Sequence, residues 1–305
     1  MRGKEHSLKS LMLIAFLFLL LSCTAVEKGI ESLPVGGKIS EKDKQAIVKT
    51  SKALRKSFED INEEEEYYIG RSVAALILSR YPVYENKILT DYINKLGNAV
   101  AIFSDRPEIY AGYHFLILES DEVNALAAPG GFIFITKGLL KRCKDEEMLA
   151  SILAHEVGHV SAKHGLQSIK KSRLLDAFSI IGEEALERYG PEKLAELTNI
   201  FEDVLADIAE NLIERGYDRK YEHEADRLSV KIASRTGYSP QGLLDFLSTM
   251  VDETSNTELK GWFKTHPSAL KRIEEVKKEI SSLRKIPEKD AVRTARFEEM
   301  MKKLS

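Results

Sequence analysis

The sequence predicts a mainly α protein (α+β) built around one small β-sheet. Three observations carry that reading. Apolar residues recur at helical spacing from about residue 41 to residue 104. Tyr113 to Leu118 and Phe132 to Thr136 are instead short, rich in aromatic and branched residues, and separated by the breaker Pro129-Gly130-Gly131. After Lys144 the helical spacing returns and persists to the end. A helix keeps an apolar stripe by repeating every three to four residues, whereas short branched runs bounded by turn residues suit strands.

Each element follows from local chemistry. Residues 23–39 hold Gly29, Pro34, Gly36 and Gly37 and read as a tether. Asn62 is placed to cap a helix from Glu63 through Arg80, and the acidic first turn suits the positive end of the helix dipole. By that reading Glu63 to Glu66 form a solvated helix start. Tyr81-Pro82 ends this helix, and a second spans Glu85 to Phe103. After the strands, Asp145 caps a helix expected to run to about Lys171. Further helices are expected near 191–214, 218–236, 240–253, 267–284 and 288–303.

The totals bound the class. With 305 residues, 43% hydrophobic and 30% charged, the composition excludes disorder, collagen-like repeats and a disulfide-rich miniprotein. A chain of this size buries roughly three quarters of its unfolded surface without staples. Lys plus Arg is 45 against 48 Asp plus Glu, a net charge of -3, so counterion release gives no reason to expect nucleic acid. The one long apolar run, Leu11 to Leu21, has 11 residues, against about 20 for a spanning helix. Arg2, Lys4 and Lys9 precede it. A basic start, a short apolar core and small residues after it describe a secretory signal peptide over residues 1–22. The run ends in Leu20-Leu21-Ser22-Cys23, which resembles the bacterial lipobox. That resemblance implies cleavage before Cys23 and lipidation of Cys23, and Thr24 in place of Asp favours the outer membrane. The expected location is the periplasm, on a membrane surface to which the lipid on Cys23 ties the chain without spanning it. With Cys23 acylated, Cys143 has no disulfide partner and reads as structural.

His155-Glu156-Val157-Gly158-His159 carries the chemistry. Helical residues four apart are offset by about 40° and about 6 Å along the axis, so His155 and His159 can point at one ion. Glu156 lies beside that ion and can deprotonate a water. Catalytic zinc takes three protein ligands and keeps an open position. One zinc class finds its third ligand in a His at position 165 after a Gly at 162; this sequence has Ala162 and Gly165, with His164 one place out of register. The other class takes a Glu from a second helix, and Tyr221-Glu222-His223-Glu224-Ala225-Asp226 supplies it. Glu222 and Asp226 are four apart and share a face, while Glu224 is turned about 200° from Glu222 and cannot join them. Glu222 is assigned to zinc, and Asp226 is the carboxylate that accepts an N–H from a ligand His and fixes its tautomer. His114 and His223 read as packing or surface residues, and His164 reads as structural, with support of a metal ligand from behind as its alternative.

Over roughly Glu63 to Arg284 the chain resembles family forty-eight of the metallopeptidases, the gluzincin group of HtpX, the CAAX prenyl proteases and the periplasmic lipoprotein proteases. The resemblance rests on His155 to His159, on Glu222 to Asp226, on Asn124 to Gly131, and on Thr265-His266-Pro267-Ser268 followed by Arg272-Ile273. It implies a zincin-like core with a substrate-binding edge strand, surrounded by helices, and one Zn2+ per chain. It also implies that Asn124 and Ala125 pair with a peptide by β-augmentation, with Gly130 and Gly131 turning the strand. His266 would face the metal and either stabilise the oxyanion or plug the site, with Arg272 in support. The peptidase domain would cover 111–285, between an N-terminal helical segment (40–110) packed on it and a helical tail (286–305).

The activity implied is zinc-dependent hydrolysis of internal peptide bonds in envelope proteins, misfolded or stalled outer-membrane proteins above all. Partners are then protein or peptide substrates, the membrane surface and the outer-membrane assembly machinery. No spanning helix and no added repeat domain are expected, which argues against prenylated substrates and repeat-borne partners. The alternative is a periplasmic chaperone-like or assembly factor with a silent or plugged metal site, against which the intact His-Glu-x-x-His speaks. The stretch 160–221 is a candidate gate.

Overall fold

Glu63–Arg80 forms the first helix (α1), with Asn62 as its cap: the Asn62 side chain accepts from Glu65 N at 2.9 Å and Glu65 reciprocates at 3.0 Å. This capping box satisfies two amides that a helix start otherwise leaves open. The structure is a computed structural model that describes residues 61–168, 205–253, 265–266 and 269–304. The expected signal peptide, Cys23 and the tether lie outside the described residues, as does most of the helix expected near 191–214.

After α1 come α2 (Lys87–Ala101), β1 (His114–Leu118), β2 (Ala125–Ala128), a 3-10 turn (Pro129–Gly131), β3 (Phe132–Thr136), α3 (Lys137–Arg142), α4 (Glu146–Ser161) and α5 (His164–Gln167). A π-helical turn (Asn211–Arg215) leads to α6 (Arg219–Thr236), α7 (Gln241–Glu253), α8 (Ala269–Ser281) and α9 (Ala291–Met301). The architecture is the expected one, mostly helical with a small mixed sheet. In strand order β1-β3-β2, β1 runs parallel to β3 from His114↔Phe132, and β2 runs antiparallel to it from Ala125↔Ile135. That order leaves β2 at an edge. No helix among the described residues is long and apolar enough to cross a membrane.

The centre of the molecule is α4, whose residues from Glu146 to Val160 are all buried. A helix buried all round needs apolar partners on every side; Met148, Leu149, Ile152, Leu153 and Val157 meet α2, α6, α7, α9 and β2. Asp145 caps it, accepting from Met148 N at 2.8 Å. Its two first acidic residues are buried but partnered. Glu146 accepts from Tyr92 (2.8 Å), Tyr238 (2.7 Å) and Arg296; Glu147 accepts from Ser239 N (2.6 Å) and Arg293 (3.2 Å). The last helix thereby holds the start of the central one.

Two expectations are corrected here. Glu66 is not solvated: it is 1% exposed. The first turn of α1 rests on the Pro129–Gly131 turn, so close that a Cβ on Gly130 would come 2.7 Å from Tyr67 Cα. Gly130 has φ 68°, which only glycine adopts without cost. Glu66 is then drawn in to accept from Arg106 (3.1 Å) and to meet Lys163 (3.4 Å). Second, the central helix ends at Ser161 and not near Lys171. Lys163 adopts the left-handed conformation (φ 56°, ψ 32°) and reverses the chain into α5.

Candidate metal centre

His155, Glu156 and His159 stand on the buried second half of α4, and Glu222 and Asp226 on the first turns of α6, which packs along it. Gly158 permits the approach: a Cβ there would already be 3.3 Å from Ala225 O. The two Nε2 atoms of His155 and His159 lie 3.0 Å apart. Glu222 brings Oε2 to 3.6 Å from His155 Nε2 and Oε1 to 3.4 Å from His159 Nε2. His266 joins them, its Nδ1 2.8 Å from Glu222 Oε2. Among the described residues these four can offer ligand atoms that all lie within 4.8 Å of one another.

The surroundings set the charges. Asp226 Oδ1 is 3.0 Å from His155 Nδ1, and Arg272 on α8 donates to both Asp226 oxygens at 2.8 and 2.7 Å. Arg272 Nη1 also lies 3.1 Å from Glu222 Oε2. Burial pushes the Asp226 carboxyl up, but Arg272 and His155 hold it down, to about 2. Burial likewise opposes ionised Glu222, yet His266 and Arg272 keep it well below the ordinary carboxylate value. Glu156 differs: burial dominates and raises it. Neither of its oxygens has a hydrogen-bond partner among the described residues, and His266 Nε2 is 4.0 Å away. Burial lowers His159 well below its ordinary value.

The residues fit a divalent cation. Three buried carboxylates face one guanidinium, so once the imidazoles give up their protons to bind a metal, two negative charges are left for a cation to offset. Two imidazole nitrogens and a carboxylate converge on one point, the donor set of a catalytic zinc site.

The predicted substrate-binding residues lie beside this cluster. Asn124 is buried; its Oδ1 accepts from Ala125 N and from Thr265 Oγ1, both at 3.0 Å. Ala125 begins β2, and Gly130 and Gly131 form the turn to β3. The β2 edge is covered, for Tyr217 donates to Ala127 O at 2.7 Å while its ring stacks on His159, centroids 4.1 Å apart. The gap left between Ala125, Glu156, Leu212, Tyr217 and His266 is about 10 Å³, the room of one water at most. Tyr217 was not singled out from sequence, and Thr265 entered only as part of the Thr265-His266-Pro267-Ser268 motif, without a role of its own. Tyr217 meets a carbonyl 90 residues away, and no local pattern marks such a pair. Cys143 is buried and its thiol is pushed up by burial, as a structural cysteine's would be.

A helix-borne histidine pair, a glutamate from a second helix and an adjacent edge strand define a metallopeptidase of zincin-like architecture. The chain belongs to Peptidase family M48, whose model matches residues 87–280. It is similar to the beta-barrel assembly-enhancing protease of Escherichia coli (strain K12), 26% identical over 225 residues, 72% of this chain and 45% of that protein. The mitochondrial metalloendopeptidase OMA1 of Schizosaccharomyces pombe is 25% identical over 73% of this chain and 63% of its own length. Metalloprotease YcaL of Escherichia coli is 28% identical over 55% of this chain and 63% of its own length. The chain thus spans about half the length of the first of these relatives.

Proposed function

We propose that the chain is a zinc-dependent endopeptidase of envelope proteins, with zinc held by His155, His159 and Glu222. The convergence of these three donors beside the buried carboxylate of Glu156, which has no hydrogen-bond partner among the described residues, carries the reading. When bound, zinc supplies a Lewis acid that polarises a peptide carbonyl and acidifies a water. Glu156 takes the proton of that water and passes it to the departing amine; burial, by raising its pKa, brings the group nearer working pH. An extended substrate pairs with the β2 edge at Asn124 and Ala125, and the Tyr217 hydroxyl leaves Ala127 O to admit it. A closed resting state is supported by His266 Nδ1, 2.8 Å from Glu222 Oε2, and by the Tyr217 hydroxyl on Ala127 O.

Misfolded or stalled outer-membrane proteins are the proposed substrates, supported by the likeness to a protease named for β-barrel assembly. Residues 1–23 support a periplasmic lipoprotein anchored through Cys23. The test is cleavage of casein by the purified full chain. One zinc per chain, with cleavage stopped by a chelator and restored by zinc, is expected. Substoichiometric zinc, or cleavage indifferent to the chelator, would sink the proposal.

Zinc affinity should fall with pH. Burial pushes the His155 imidazole down, but Asp226 and Glu222 more than offset it and hold it up to about 9. At pH 7 the metal-free chain therefore carries a proton on His155 that zinc must expel. Apparent affinity drops about tenfold for each pH unit below 9. Chelator competition between pH 6.5 and 8.5 reads this slope directly, and a flat profile would show that His155 holds no proton in the metal-free chain over that range.

A further inference from the structure

The two histidines of the proposed zinc site are oriented by different means. His155 turns its Nδ1 to Asp226, which Arg272 clamps. His159 turns its Nδ1 to another histidine: Nδ1 of His164 lies 2.9 Å away, the ring planes meeting at 73°. On the far side of that ring, His164 Nε2 is 3.4 Å from Glu224 Oε2. One proton arrangement satisfies the row. A neutral imidazole has one donor and one acceptor. If His159 keeps its Nε2 lone pair for the site, its Nδ1 carries the proton and donates to His164. His164 then accepts at Nδ1, holds its own proton at Nε2, and donates it to Glu224.

The backbone delivers this contact. Lys163, in a left-handed conformation uncommon for a residue with a side chain, turns the chain so that His164 comes back beside His159. The His164 side chain is fully buried, with the Tyr221 ring 4.6 Å from it, while Glu224 is 48% exposed. The face of α6 opposite Glu222 is what puts Glu224 there.

We infer that His164 and Glu224 are positioning residues for His159, a hydrogen-bonded row that fixes the ligand's tautomer and ties it to a carboxylate at the surface. The inference rests on the zinc reading above. Partners of this kind change metal affinity by about 10- to 100-fold.

Zinc affinity of the full chain, measured by competition with a chromogenic chelator, tests it. His164→Phe, which keeps a buried ring but no acceptor, should bind zinc about 10- to 100-fold more weakly. His164→Asn should regain most of that loss, because its Oδ1 stands where Nδ1 of His164 accepts. Glu224→Ala should weaken binding by less. In ¹⁵N-labelled, metal-free wild-type protein, where no zinc fixes the tautomer, His159 should already carry its proton on Nδ1, a measurement that needs no variant to fold. Wild-type affinity in His164→Phe, or equal losses in the Phe and Asn variants with no change at His159, would reduce His164 to packing. A wild type that binds no zinc would overturn the zinc reading, and the row with it.

Discussion

Glu156→Gln is expected to lower casein hydrolysis by about two to four orders of magnitude while zinc content stays at one per chain. The amide fills the same volume and removes only the proton acceptor. Neither Glu156 oxygen has a hydrogen-bond partner among the described residues, so the variant breaks no bond of the resting fold. Stability should move the other way. Burial raises the Glu156 pKa above its unfolded value, so at neutral pH folding must either hold an unfavourable charge or take up a proton. The metal-free variant escapes that cost and should melt higher than metal-free wild type. An active site that stores such a cost exchanges stability for chemistry. Activity within tenfold of wild type would remove Glu156 as the base, and loss of zinc would make it a ligand.

What was legible in the sequence was local. Asn62 and Asp145 declared their helices because each cap bonds an amide three residues on. The histidine pair was legible because both ligands ride one helix, four residues apart. The Glu222 and Asp226 face followed from the same spacing. Pairs distant in sequence were not legible. Glu66 looked like one more residue of an acidic helix start, and only the approach of the Pro129–Gly131 turn buries it. The end of α4 at Ser161 was missed because helical periodicity runs on past it, and a lysine carries no signal for a left-handed turn. Helical spacing turned Glu224 away from Glu222 correctly, but could not say that His164, 60 residues earlier, waits on that other face. Arg272 was reached through family resemblance alone; nothing in α8 marks it as the partner of two carboxylates 46 and 50 residues back.

Arg272→Met is expected to destabilise the metal-free protein by about 3–5 kcal/mol at pH 7. Arg272 is fully buried and joins α8 to α6 through three contacts, two on Asp226 and one on Glu222. Methionine replaces much of the aliphatic stem but leaves both carboxylates desolvated without their cation. Lysine should not rescue it, since a point charge cannot reproduce a fork that serves two oxygens of one carboxylate and reaches a second carboxylate. The pH dependence identifies the cause. In wild type the folded pKa of Asp226 is depressed to about 2, so its contribution is present above the unfolded value and is lost as pH falls through 2. By linkage that contribution is about 2 kcal/mol. Without Arg272 the carboxyl rises and protonates more readily in the folded state, so the deficit of the variant should shrink as pH drops from 7 to 4.5. Adding Asp226→Asn to Arg272→Met should recover part of the loss at pH 7 for the same reason. Urea unfolding of the metal-free chains measures all of this. A deficit that ignores pH and is not eased by the second substitution would mean that Arg272 acts through its volume, and that charge does not hold α6 to α8.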